Sequence, residues 1–220
     1  MNRFTFAAAA AVTLAGVTGG IAAAPAIFAQ EAPQMPGIQD ASRVTAGTYA
    51  LDAGHTLVNW QVNHFGFNDY FGLFGNISGT MTMDPANIEA ASFEIMVPIA
   101  DVSVASAGLR DHLLRPGKDG GAPDFFGPQP GMAKFVSTSV TRTGNTTANV
   151  VGDLTMNGKT GPVAMAVEFV GAGANPMNKK ETVGFHARAM IDRTQWGVNY
   201  GVPMVGKDVT MTISAAFEKQ

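Results

Sequence analysis

Apolar residues recur at every second position in one segment after another, and a two-residue period permits only extended chain with one buried face. In Thr56–Phe65, Val58, Trp60, Val62 and His64 alternate with Leu57, Asn59, Gln61 and Asn63. Ser92–Ile99 places Phe93, Ile95, Val97 and Ile99 on one side, and Val163, Met165, Val167 and Phe169 repeat the pattern. Val183, Phe185, Ala187, Ala189 and Ile191 do so again. The last segment sets Val209, Met211, Ile213, Ala215 and Phe217 against Thr210, Thr212 and Ser214. Asn157-Gly158, between two such runs, is the signature of a tight hairpin. Only Ser103–Leu114 predicts helix, a short one stopped by Arg115-Pro116-Gly117. The chain is all-β.

Antiparallel strands with one apolar face make a sandwich or a barrel. Eight or nine long, evenly spaced strands and the internal glycines Gly72, Gly75, Gly79, Gly152 and Gly184 favour the barrel, because interior glycine is where a strand turns a barrel corner. Closure also pairs every strand edge, which matters in a chain with no cysteine to staple it. The expected architecture is a single antiparallel barrel of eight (or nine) strands, just wide enough to be filled by side chains or to hold one small ligand. With 46% hydrophobic and 14% charged residues the chain has ample material for a core. A net charge of −3 argues against nucleic acid as a partner.

Met1-Asn2-Arg3, the Ala-rich apolar run 4–24 and the small residues up to Ala29 predict a secretory signal over residues 1–29, cleaved after Ala29. Residues 30–46 lack periodicity and read as a flexible leader, leaving 47–220 as the barrel. Export of a cysteine-free chain points to the bacterial periplasm.

Catalytic patterns do not emerge. No Gly-x-Ser-x-Gly occurs, and His55, His64, His112 and His186 have no metal-binding spacing. Gly158-Lys159-Thr160 is a hairpin tip rather than a phosphate loop, since Gly161-Pro162 follows in place of a helix. Nothing here proposes an enzyme or a metal. Phe65–Gly75, by contrast, packs five aromatic residues into eleven, Phe125-Phe126 follows a Pro/Gly-rich stretch, and Trp196 and Tyr200 lie in another irregular loop. Singly, such rings read as plugs at the barrel ends. Together, three aromatic loops read as a lined, closable cavity.

The strings Tyr49-Ala50-Leu51-Asp52, His55-Thr56, Val58, Trp60, Val62, His64 and Gly66 open a longer series. It continues through Gly72, Phe74, Gly79, Leu109-Arg110-Asp111-His112-Leu113, Asp124-Phe125-Phe126 and Lys134-Phe135. Gly152-Asp153-Leu154-Thr155-Met156-Asn157-Gly158 and Ile191-Asp192-Arg193-Thr194 with Trp196-Gly197 complete it. Over about residues 47–219 this series resembles the YceI-like proteins. The resemblance implies a lipocalin-like periplasmic barrel with an interior apolar tunnel for a polyisoprenoid or related amphiphile. It further implies a wall of Val58, Trp60 and Val62, with tail contacts from Phe71, Phe74, Phe135, Leu154, Met156, Met165, Phe185 and Trp196, and Phe125 and Phe126 added from their loop. A head group would lie near the mouth, with His64, Arg110 and His112 as candidates. Arg110–Asp111 and Asp192–Arg193 read equally as structural pairs, and Asp192–Arg193 more so. Two features depart from the family pattern: an insertion at Arg115–Pro123 and a glycine-rich loop at Gln195–Lys207.

Three functions follow as expectations. One is a carrier or sequestering protein for a polyprenyl lipid, an isoprenoid quinone or a fatty amide, with no cofactor other than such a ligand. Another is a quinone-linked accessory of an electron-transfer or stress-response system. The third is an interaction module with a filled core. Transient membrane contact and a homodimer are compatible with the first.

Overall fold

A computed structural model describes residues 34–220; the expected signal, residues 1–29, lies outside the described residues. The strands are β1 Gly47–Leu51, β2 Leu57–His64, β3 Asn68–Phe74, β4 Ser78–Met83, β5 Ser92–Pro98, β6 Met132–Arg142, β7 Thr147–Met156, β8 Lys159–Ala174, β9 Glu181–Asp192 and β10 Val205–Lys219, with one helix, α1, at Ala107–Leu114. All pairings are antiparallel, in the order β1-β4-β5-β6-β7-β8-β9-β10-β2-β3, and β1 also pairs with β10. That last pairing closes the barrel.

Ten segments make eight barrel strands. β1 and β2 lie end to end along β10, and β4 and β3 lie end to end along β1 and β2. Each pair is therefore one barrel strand broken once, at residues 52–56 and 75–77. The first break leaves no orphaned backbone on β10. Asp52 N donates to the Ala216 carbonyl at 2.8 Å, and the Thr56 hydroxyl accepts from Ala216 N at 3.2 Å. Thr56 is accordingly buried although polar.

The hairpin predicted at Asn157-Gly158 joins β7 and β8 through those two residues, both with positive φ (50° and 70°). Two of the internal glycines seat aromatic rings. Trp60 stands opposite Gly72 and lies across it, and Phe135 lies over Gly152 on the neighbouring strand. A Cβ on either glycine would meet the ring at 2.2 or 2.4 Å, so glycine gives each aromatic a seat on the wall.

Part of the expected leader is fixed. Ile38 exchanges two backbone hydrogen bonds with Ala172 (3.2 and 2.9 Å), Arg43 donates to the Pro36 carbonyl, and Val44 is buried. Gly171 and Gly173 permit this placement, because a Cβ at Gly173 would strike the Pro36 carbonyl and one at Gly171 would crowd Ile38.

One end of the barrel is closed by side chains. Phe217 packs edge-on against Phe93 and Phe185, at 6.3 and 6.1 Å between ring centres. Beyond them Tyr49 is fully buried, and its hydroxyl donates to the Thr45 carbonyl and meets the Glu181 carboxylate. Burial, reinforced by the Glu181 carboxylate, pushes the Tyr49 phenol up to about 12. A folded-state value above the unfolded one near 10 means a contribution fully present below pH 10 and lost as pH climbs through 12. Tyr49→Phe should cost about 1 kcal/mol at neutral pH in denaturant unfolding. The gap between wild type and variant should then close between pH 10 and 12; a constant gap would contradict the buried-phenol account.

Candidate functional site: an apolar barrel cavity

Protein interiors normally close-pack, yet the inward faces of this barrel enclose a cavity of about 950 Å³. That volume is near the top of the roughly 300–1,000 Å³ range of small-molecule pockets. Its body is Val58, Trp60 and Val62 on β2, Phe93, Ile95 and Val97 on β5, and the alternate residues Val209 to Phe217 on β10. Polar lining residues are few: Thr56, His64, Tyr70, Ser106, His112, Arg193 and Tyr200. A cavity so lined favours an apolar or long-tailed guest and offers hydrogen bonds at only a few places. The Trp60 ring runs near-parallel to Tyr70, and its indole N–H has no hydrogen-bond partner among the described residues.

The mouth lies opposite the Tyr49 end, where lining residues are also exposed: Phe65, Tyr200, Val202 and Met204. Two loop systems frame it. On one side, Arg193 is buried and its guanidinium donates to the carbonyls of Val198, Tyr200, Val205 and Gly206 at 2.7–3.0 Å. Burial lowers its pKa from the usual arginine value. The loop 197–206 is thus wrapped around one cation. Asp192 does not pair with Arg193. It caps the following turn through Thr194 and takes Lys207 at 3.1 Å.

On the other side stands α1, whose N-cap Ser106 accepts from Leu109 N. At its far end the Leu113 carbonyl accepts from Phe126 N at 3.0 Å, which draws Phe125-Phe126 into the lining. His112 Nε2 lies 2.7 Å from Asp124, which also takes Arg115 at 2.8 Å. Arg115 and His112 together hold the Asp124 carboxyl below its ordinary range. The inserted stretch Arg115–Pro123 is therefore tied down at both ends. Across the mouth the His112 ring meets Phe125 at 5.1 Å and Tyr200 at 4.9 Å, joining the two loop systems.

Of the residues singled out from sequence, the structure brings Val58, Trp60, Val62, His64, Phe74, Phe125, Phe126, Phe135, Leu154, Met156, Met165, Phe185 and His112 to this one cavity. Three are elsewhere. Phe71 is 52% exposed on the outer face; it is three residues from Phe74, and an odd separation puts two strand residues on opposite faces. The same parity identifies Tyr70, a lining residue that the sequence reading passed over. Trp196 is buried behind the wall, its N–H donating to the Leu154 carbonyl at 2.9 Å and its ring against Gly161. Arg110 is exposed on α1, lies outside the cavity lining and reaches only the Ala100 carbonyl. Phe65 and Met204 were also missed, since nothing in an irregular loop's sequence says which way its side chains turn.

Residues 49–217 match the YceI-like domain family. The chain belongs to that family. A UPF0312 protein of Pseudomonas putida is 32% identical over 183 residues, spanning 82% of this chain and 91% of the relative. Among solved structures, BcnA of Burkholderia cenocepacia superposes with a TM-score of 0.61 at 22% identity, over 76% of this chain and 98% of BcnA. A polyisoprenoid binding domain from Saccharophagus degradans gives 0.53 at 12% identity, over 78% and 98%. These two likenesses are of fold. Among the described residues of this YceI-like barrel, no helix is long and apolar enough to cross a membrane.

The seat under Trp60 can be tested. Gly72→Ala places a methyl 2.2 Å from the indole and forces the ring off the wall. The variant should lose about 1–3 kcal/mol in denaturant unfolding, with a shifted tryptophan emission. Unchanged stability and emission would mean that the ring has other room.

Proposed function

We propose that this protein binds one long-chain isoprenoid or related amphiphile (a polyprenyl lipid, an isoprenoid quinone or a fatty amide) and acts as a periplasmic carrier or sequestering protein without chemistry of its own. The observation that carries this reading is the cavity of about 950 Å³, walled by apolar side chains and open at one end. An apolar tail gains roughly 0.8 kcal/mol for each methylene it buries, so such a wall binds tightly with no polar motif. In this reading Trp60, Phe74, Phe135, Leu154, Met156, Met165 and Phe185 contact the tail, the flexible methionines adapting to its shape. His64 and His112 stand at the mouth for a head group. Family membership and the shared fold of the polyisoprenoid binding domain from Saccharophagus degradans support the same ligand class. A module with a filled core would lack such a hollow.

An organic extract of the purified protein should yield a stoichiometric lipid by mass spectrometry, and tryptophan emission should change when prenyl lipids are added to extracted protein. Phe185→Asp puts a carboxylate on the wall, where losing its hydration costs several kcal/mol. The folded variant should take up no lipid. A clean extract from the wild type, with no emission change, removes the carrier reading.

A further inference from the structure

Two turns form the lip of the cavity on the side away from α1. One, between β2 and β3, carries Phe65 and Phe67; the other, between Gly197 and Gly206, carries Tyr200, Val202 and Met204. They are joined by a hydrogen bond from Phe65 N to the Met204 carbonyl at 2.7 Å. Phe67 is 90% exposed, the most exposed aromatic among the described hydrophobic residues, and Met204 is 59% exposed. Phe67 does not line the cavity, whereas Phe65, Tyr200, Val202 and Met204 do so while also facing solvent.

Neither turn carries a charge. Phe65-Gly66-Phe67-Asn68 has none, and neither does the ten-residue stretch 197–206. The first charges behind them are already engaged. Asp69 accepts from Gln61 and Asn63, and Lys207 pairs with Asp192 and Asp208. The outer patch of Phe71 and Leu73 on β3 differs in kind, because it does not adjoin the cavity.

We propose that this lip seats the barrel mouth on the surface of a lipid bilayer. The proposal rests on the lipid-binding reading of the cavity and names the partner from which that site is loaded. Three observations on the lip favour a bilayer over a protein. The residues that would enter the apolar layer continue directly into the cavity wall, so a tail can pass between them without crossing water. Uncharged aromatic tips suit the boundary between head groups and acyl chains. Turn tips also leave backbone groups without a protein partner, here the Gly66 carbonyl and the Gly201 N–H, which a hydrated head-group layer satisfies and a dry protein contact would not.

The secreted full chain, its N terminus checked by mass, is floated with phosphatidylcholine vesicles at low and high salt. Uptake of a fluorescent farnesyl probe is measured separately without vesicles. Wild type should float equally at both salts. Phe67→Ser should bind vesicles about tenfold more weakly, the loss expected for one aromatic anchor, and Phe67→Trp should bind as wild type does. All three should take up the probe alike. Flotation of Phe67→Ser equal to wild type, or wild-type flotation that vanishes at high salt, overturns the proposal. So does a dimer of the wild type that Phe67→Ser dissolves with flotation unchanged, which would make the lip a contact between copies. Phe67-dependent flotation without probe uptake would sustain the docking and remove the lipid-binding reading; probe uptake without any flotation would do the reverse.

Discussion

The closure of the sheet on itself governs the rest. Once β1 pairs with both β4 and β10, eight strands fix the girth, and every second residue must face a space of set width. Whether that space is solid or hollow then depends on how the inward side chains lie. Here the two rings whose seats are clearest, Trp60 and Phe135, lie flat over Gly72 and Gly152 instead of reaching across. Small residues such as Ala187 and Ala215 take positions on the same wall. The hollow is a result of where glycine and alanine stand relative to the aromatics, and much less of overall hydrophobicity.

Much of this was legible in the order of residues. Period-two patterning assigned the inward faces of β2, β5 and β10 residue by residue, because the alternation of a strand leaves no third choice. The Asn157-Gly158 turn was equally readable, since its backbone conformation selects those residue types. Parity was also the rule that the reading of Phe71 broke: placed with Phe74 as a wall residue, it lies outside.

Loops resisted the same treatment. Trp196 shares a sequence neighbourhood with Tyr200, yet one is locked behind the wall by a bond to the Leu154 carbonyl and the other stands at the mouth. Arg193, read as a partner for Asp192, instead gathers four carbonyls from a loop it precedes. Such contacts depend on the path of irregular chain, and no local period encodes that path. The segment around Ile38 is a further case: Gly171 and Gly173 lie under the crossing backbone of residues 36–38, and nothing in the period of β8 names that segment.

The Arg193 knot makes the rim mechanically lopsided. Pulling the 197–206 stretch away would strand a buried cation and several carbonyls at once, so that half behaves as a stator. The α1 half is tied mainly within itself, by the Phe126 N–H on the Leu113 carbonyl and by His112 and Arg115 on the partly exposed Asp124 carboxylate, and it meets the other half through the His112 and Tyr200 rings. The entrance is therefore bounded by one loop knotted around a buried cation and by one helix that reaches it through a ring-on-ring contact.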